Sequence, residues 1–174
     1  VDGQERCRMK SYFEPTGRLI MSIGKDLIKD LPAAIVELVK NSYDADASYV
    51  KITYLKNENE LKIVVEDDGH GMSQDTVLNA WMVPSTDYKL KKKNSPKGRV
   101  YQGRKGIGRY AVSLLGNKLE LITIKDGIKT MAHFDWDEFN SEKKLSEIPI
   151  VITTSETTDD SGTKLIITNE YGNV

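Results

Sequence analysis

Glu37 and Asn41 stand four residues apart in the stretch ELVKNSYDADA, from Glu37 to Ala47. On a helix that spacing puts both side chains on one face, with Ala34 and Leu38 close beside it. The polar pair then looks towards the body of the domain. A carboxylate in that position can polarise a water molecule. An amide oxygen beside it suits Mg²⁺, which draws few ligands from protein and leaves the rest to phosphates and water. The same residues also fit a plain exposed Glu–Asn pair at helical spacing. A second group, VVEDDGHGM over 64–72, runs from strand-like residues straight into Asp67, Asp68, Gly69, His70, Gly71 and Met72. Glycines there free the backbone for positive φ and let a flat ligand approach closely. An acid buried at a strand end can accept a hydrogen bond from an exocyclic amino group, which selects adenine over guanine. An ordinary Asp-Gly turn is the competing reading, and His70 reads as a loop residue rather than a catalyst.

A third group is Gly103-Arg104-Lys105-Gly106-Ile107-Gly108, leading into a helix from Arg109. Glycines ahead of a helix expose several N–H groups, and the helix start adds partial positive charge, so the segment suits phosphates. It is not a dinucleotide fingerprint, because no strand leads directly into it and its spacing differs. It is not a Walker loop, because no Gly-Lys-Ser/Thr occurs. The fourth group, Ser161-Gly162-Thr163, opens a strand-like run and is by itself a plain turn-to-strand junction.

These groups need elements to hold them. Asp30 is a good N-cap and Pro32 fits a first turn, so Ala33 to Ser42 reads as helix with Ile35, Leu38 and Val39 as its apolar stripe. A shorter helix is expected over Leu19 to Ile28. Alternation predicts strands at 49–55 and 61–67, joined through Asn57 to Asn59 as a hairpin. Thr76 to Met82 reads as a short helix. The segment 83–105 carries two prolines and a Lys run at 91–93. It buries little apolar surface, so a mobile loop is expected. A helix follows from Gly108 to a stop at Gly116-Asn117. Strands are expected at 118–125 and 129–135 around the hairpin turn Asp126-Gly127, then at 149–154 and 163–169. Trp136 to Leu145 fits neither pattern. This order predicts an α+β fold, a two-layer α/β sandwich with helices on one face of a mostly antiparallel mixed sheet. Residues 1–18 read as an N-terminal arm and 19–174 as one domain.

With 174 residues the chain is long enough for one real core. A formal net charge of -1 gives no global attraction to nucleic acid or an anionic membrane. Cys7 is the single cysteine, which excludes an internal disulfide and favours a reducing cytoplasm. No apolar run approaches the roughly 20 residues that cross a bilayer, and no signal-like segment opens the chain. A soluble cytoplasmic domain is expected.

The order and spacing of all four groups together resemble the GHKL superfamily of Bergerat-type ATPase domains, over roughly residues 19–170. Its members include DNA gyrase B subunits, heat-shock chaperone ATPases, histidine kinases and MutL proteins. AIVELVKNSYDADASYVKI is similar to the corresponding MutL and MORC stretches, whereas the glycine segment is more like the chaperones and MORC. The superfamily is therefore indicated, and no single branch. The resemblance implies ATP as substrate and Mg²⁺ as cofactor, with Glu37 activating the attacking water and Asn41 binding the metal. Asp67 would contact the adenine amino group with Thr163 nearby, Gly69 and Gly71 would shape the pocket, and Met72 would pack on the base. Gly103, Gly106, Ile107 and Gly108 would lie along the phosphates. Asp44 and Ala45 match the motif, with Asp44 supporting the ribose or pocket side. Residues 83–105 would be the ATP lid, from which Lys89, Arg104 or Lys105 reaches phosphate.

The resemblance further implies ATP-dependent homodimerisation, with the N-terminal arm as an exchanged strap, and further domains C-terminal to this chain. Relatives complete the site with a Lys or Arg from a following domain, so slow turnover is expected of this chain. A nucleotide-gated interaction module is one alternative. A histidine-kinase catalytic domain is another, although such kinases carry Asn where Glu37 stands. What the cycle drives is left open.

Overall fold

The computed structural model describes residues 11–83, 93–103 and 108–170. α1 (Arg18–Leu27) follows Gly17, whose N–H donates to the Lys143 carbonyl at 3.1 Å, while the Leu145 N–H donates to that of Pro15 at 2.8 Å. The end of the expected arm nearest α1 is thus tied to the main body. α2 (Leu31–Asp44) starts where its cap requires, with the Asp30 carboxylate accepting the Ala33 N–H at 2.8 Å and Pro32 in the first turn. Ala34, Leu38 and Ser42, at spacing of four, form its buried stripe. The chain leaves the helix through Asp46, whose φ of 61° lies in the left-handed region that glycine usually fills.

β1 (Val50–Lys56) and β2 (Glu60–Asp67) form the expected hairpin. The Asn57 side-chain oxygen closes it by accepting the N–H groups of Asn59 at 2.9 Å and Glu60 at 2.8 Å. α3 (Gln74–Thr76) widens directly into a π-helical turn (Val77–Trp81). A 3₁₀ turn (Gly108–Ala111) leads into α4 (Val112–Leu115), so the helix expected here begins in the tighter form. β3 (Lys118–Lys125) and β4 (Ile128–Asp135) are joined by Asp126 at φ 53° and Gly127 at φ 73°. Two consecutive positive φ values suit the right-handed twist of a hairpin. The segment without a clear pattern resolves into α5 (Trp136–Phe139), a short 3₁₀ turn (Leu145–Glu147) and a connection to β5 (Val151–Glu156). β6 (Gly162–Glu170) ends the described chain.

Among the described residues six strands make one sheet in the order β1-β2-β6-β3-β4-β5, and all five pairings are antiparallel. The α+β sandwich is therefore as expected, with the sheet antiparallel throughout. Side chains alternate across a strand, so Ile63 and Val65 of β2, Leu119 and Leu121 of β3, and Leu165 and Ile167 of β6 share the buried face. That face packs with Ile20, Met21, Leu38, Val112 and Leu115 of the helices into one core. An aromatic row extends it, from Trp81 to Phe134 at 5.1 Å, then Trp136 at 5.6 Å and Phe139 at 5.1 Å. Trp136 is 1% exposed, so apolar burial fixes the segment that periodicity left open. No helix among the described residues is long and apolar enough to cross a membrane.

Candidate functional site

At one end of the inner sheet face the apolar alternation gives way to polar residues. The strand register aligns Asp67 of β2 with Thr163 of β6, Thr163 with Thr123 of β3, and Thr123 with Thr130 of β4. A polar row thus crosses four adjacent strands. Above it, between the sheet, α2 and the π-helical turn, lies a cavity of about 170 Å³. α2 supplies Leu38, Asn41, Ser42, Asp44 and Ala45 to its wall. The strands supply Val65, Asp67, Thr163 and Leu165, and the loop after β2 supplies His70, Gly71 and Met72. Thr76, Ala80, Trp81, Tyr101 and Arg109 complete it.

Asp67 is buried at the cavity floor. Its carboxylate accepts the Ser42 hydroxyl at 2.6 Å and the Gly69 N–H at 3.0 Å. Burial raises its pKa above the ordinary carboxylate range, against the lowering effect of hydrogen bonds from Ser42 and from the Gly69 and Thr163 backbone. Thr123 links the row. Its hydroxyl accepts the Met72 N–H at 2.8 Å, lies 3.2 Å from the Gly162 carbonyl and 3.1 Å from the Thr163 hydroxyl. Asp68, next in the chain, instead ties the two ends of the hairpin by accepting N–H groups from Ser48 at 2.7 Å and Tyr49 at 3.0 Å. The Ser48 hydroxyl and the Tyr49 N–H hold its pKa down at about 2.

The two glycines between these acids and Met72 have separate reasons. Gly69 lies against α2, where an added Cβ would stand 2.8 Å from the Ala45 Cβ. Gly71 has φ of 62°, and its Cβ would fall 1.9 Å from the Ile124 carbonyl oxygen. Only glycine fits both the torsion and the space at 71. His70 is fixed by its own N–H, donated to Ala45 at 2.9 Å, and its Nδ1 lies 2.9 Å from the Gly71 carbonyl oxygen.

Residues 93–103, in the middle and end of the expected loop, are fastened to the end of α2. Asp44 accepts the N–H groups of Gln102 at 2.8 Å and Gly103 at 3.0 Å. Asp46 accepts the Ser95 hydroxyl and the Lys97 N–H at 3.0 Å. Burial would raise the Asp46 pKa, but those two hydrogen bonds and the charges of His70 and Arg99 outweigh it and leave it lowered. Arg99 donates to the Ala47 carbonyl at 2.8 Å and sits 4.9 Å over the Tyr43 ring.

Of the residues singled out from sequence, Asn41, Asp44, Ala45, Asp67, Gly71, Met72 and Thr163 all line the cavity. Gly69 lies just behind the wall against Ala45, and Gly103 is held by Asp44. Glu37 stands one turn before Asn41, outside the cavity wall. Its Oε1 pairs with Lys40 at 2.7 Å, and a Cβ on Gly108 would lie 2.6 Å from its Oε2. The start of the 3₁₀ turn therefore rests on this carboxylate. Lys105, Gly106 and Ile107, with Lys89 and Arg104, lie outside the described residues. Ser42 and Thr123 were legible in principle, since helical and strand periods put them on the buried face. Trp81, Tyr101 and Arg109 carry no such local signal.

Among the described residues no three of His, Cys, Asp and Glu come together to hold a metal ion. An ion that takes one ligand from protein needs no such cluster. The Asn41 amide reaches the cavity and is engaged by no hydrogen bond among the described residues, so its oxygen is a hard donor that fits Mg²⁺.

A helix-covered antiparallel sheet with a cavity over a buried acid at its strand ends defines an α+β sandwich. The chain belongs to the GHKL family, described as Histidine kinase-, DNA gyrase B-, and HSP90-like ATPase, which matches residues 29–163. It is 38% identical over 99 residues to ATPase morc-1 of Caenorhabditis elegans, covering 56% of this chain and 11% of the relative. It is 33% identical over 104 residues to Chaperone protein HtpG of Oceanobacillus iheyensis, covering 58% and 16%. A Herpetosiphon aurantiacus protein that carries the name of a type II restriction enzyme, HgiDII, is 31% identical over 106 residues, covering 61% and 17%. The chain thus spans less than a fifth of each relative's length.

Proposed function

We propose that this chain is the Mg²⁺-dependent ATP-binding and ATP-hydrolysing domain of a larger cytoplasmic protein. Closure of a lid over about 83–105 and ATP-dependent homodimerisation would drive conformational change in further domains. The observation that carries the reading is the buried Asp67 carboxylate, held by Ser42 and Gly69 at the floor of a cavity that Asn41 also lines. Asp67 accepts the exocyclic amino group of adenine, with Thr163 beside it and Met72 against the base. Gly69 and Gly71 let the loop approach the base plane. Asn41 holds the metal ion, and Gly103, Gly106, Ile107, Gly108 and Lys105 lie along the phosphates. Asp44 and Ala45 set the end of α2 that this arrangement hangs on.

Mg²⁺, when bound, neutralises phosphate charge and orients the phosphate chain. The chain's own residues do the rest. Glu37 orients a water for in-line attack, and its carboxylate accepts the proton as the new oxygen–phosphorus bond forms. The bond between the γ-phosphorus and the bridging oxygen breaks, releasing ADP and phosphate. Glu37 must loosen its pair with Lys40 to do so. That pair also favours a second reading, a nucleotide-gated interaction module with little turnover.

The test is titration with Mg-ATP and Mg-GTP. We expect the wild type to prefer ATP, because guanine presents a carbonyl to the Asp67 acceptor. Asp67→Asn should weaken ATP by about tenfold or more, the worth of a charge-assisted hydrogen bond. The raised Asp67 pKa means that the folded chain binds this proton more tightly than the unfolded one. Its contribution to stability therefore falls as pH rises through the folded-state pKa. Asp67→Asn should accordingly be no less stable at pH 7 than the wild type, in urea unfolding. Equal affinity for ATP and GTP would sink the adenine assignment.

A further inference from the structure

Arg109 is part-buried in the cavity wall, on the 3₁₀ turn that follows the glycine segment. A guanidinium has five donors and no acceptor. Among the described residues its hydrogen bond goes to the carbonyl of Ala80 in the π-helical turn, a neutral group that leaves the charge uncompensated. Burial acts on it in the direction that disfavours the charged form, lowering its pKa from the ordinary arginine value. Arginine nevertheless remains a cation under all ordinary conditions, so this is a desolvated positive charge beside a cavity.

The other titratable groups among the described lining residues sharpen the point. Asp44 and Asp67 are acids, and His70 and Tyr101 are the remaining titratable side chains beside Arg109. Arg109 is the one permanent cation among them. A ligand carrying several negative charges enters this wall unfavourably unless a cation receives part of it. The bond to Ala80 also fixes one edge of the guanidinium, which lowers the ordering cost of using the remaining donors.

We propose that Arg109 is a nucleotide-binding residue that donates to a phosphate of the bound nucleotide. This rests on the ATP-binding reading above and assigns a contact that the motif groups do not contain. In the sequence Arg109 figures only as the first residue of a helix. Asn41 and Arg109 both line the cavity, one from α2 and the other from the 3₁₀ turn packed against it. Arginine suits such a role because its planar fork can engage phosphate oxygens in pairs.

The test compares ATP, ADP and adenosine by titration on the 174-residue chain with MgCl₂ present throughout. In the wild type both nucleotides should bind more tightly than adenosine. Arg109→Gln should lower ATP and ADP affinity by about tenfold or more, and adenosine affinity by less than about twofold. Arg109→Lys, which keeps the charge, should retain more of the preference for ATP over adenosine than the Gln variant. Equal losses for all three ligands would mean that Arg109 acts only through Ala80 and the shape of the wall, and would overturn the proposal. Unchanged ATP affinity would overturn it too.

Because the Gln variant loses a structural bond, a second measurement uses the wild type. The Arg109 side-chain Nε–H NMR signal should shift on adding ATP and not on adding adenosine. A shift of the same size with both contradicts a phosphate contact. Wild-type protein that binds neither ATP nor adenosine would refute the nucleotide reading itself. Wild-type protein that binds ATP without regard to Arg109 refutes only the present assignment.

Discussion

Gly71 shows how much one residue can fix. Its φ of 62° and the 1.9 Å approach of the Ile124 carbonyl to any added Cβ leave no room for a side chain. Gly71→Ala should destabilise the fold by about 1–3 kcal/mol from backbone strain alone, with more from the forced shift of β3. Urea unfolding reads this directly, and a variant as stable as wild type would mean that the loop is not held as described. The need for glycine was legible in the Asp-x-Gly-x-Gly spacing, and so was the helix that sets Glu37 and Asn41 one turn apart. The partners were not. Ser42 belongs to the stretch that drew attention to Asn41, yet its bond to Asp67 joins residues 25 apart in sequence. Arg109 looks like an ordinary first residue of a helix until the fold sets it against Ala80.

Among the elements, the end of α2 organises the most. Asp46 adopts a left-handed conformation unfavourable for a non-glycine residue by roughly 1–2 kcal/mol. Its carboxylate in turn gathers Ser95 and the Lys97 N–H, while Asp44 gathers Gln102 and Gly103. Asp46→Gly suits the torsion but removes the carboxylate, so it separates the two effects. We expect the Lys97 and Arg99 amides to exchange hydrogen at least about tenfold faster in this variant, with β2 and β6 amides unchanged. Unaltered exchange at Lys97 and Arg99 would show that Asp46 does not hold the segment. Composition marked 83–105 as loop because it is polar and proline-containing, and that reading has no access to carboxylates some 50 residues away. Helix caps and hairpin turns were legible because Asp30, Asn57 and Asp126-Gly127 act on their immediate neighbours. The π-helical turn was not, because Trp81 is set by packing on Phe134 rather than by its own stretch.

At the level of the whole molecule, the site exists because β6, the last of the described strands, inserts between β2 and β3. That insertion puts Thr163 between Asp67 and Thr123 and makes a polar row at one end of an otherwise apolar face. Alternation revealed the strands and the layered class, but strand order depends on long-range pairing that no local pattern encodes. The cavity over that row joins α2, two strands, the π-helical turn and the 3₁₀ turn that carries Arg109, so the site is a property of the assembled sandwich. We propose that this cavity binds ATP and that Glu37 acts on water. The most direct measurement is phosphate release with Mg-ATP by wild type and Glu37→Ala, alongside ATP titration of both. Similar ATP affinity is expected for the two, with a loss of turnover of about a hundredfold or more in the variant. Equal turnover in both proteins, or no ATP binding by either, would contradict the proposal.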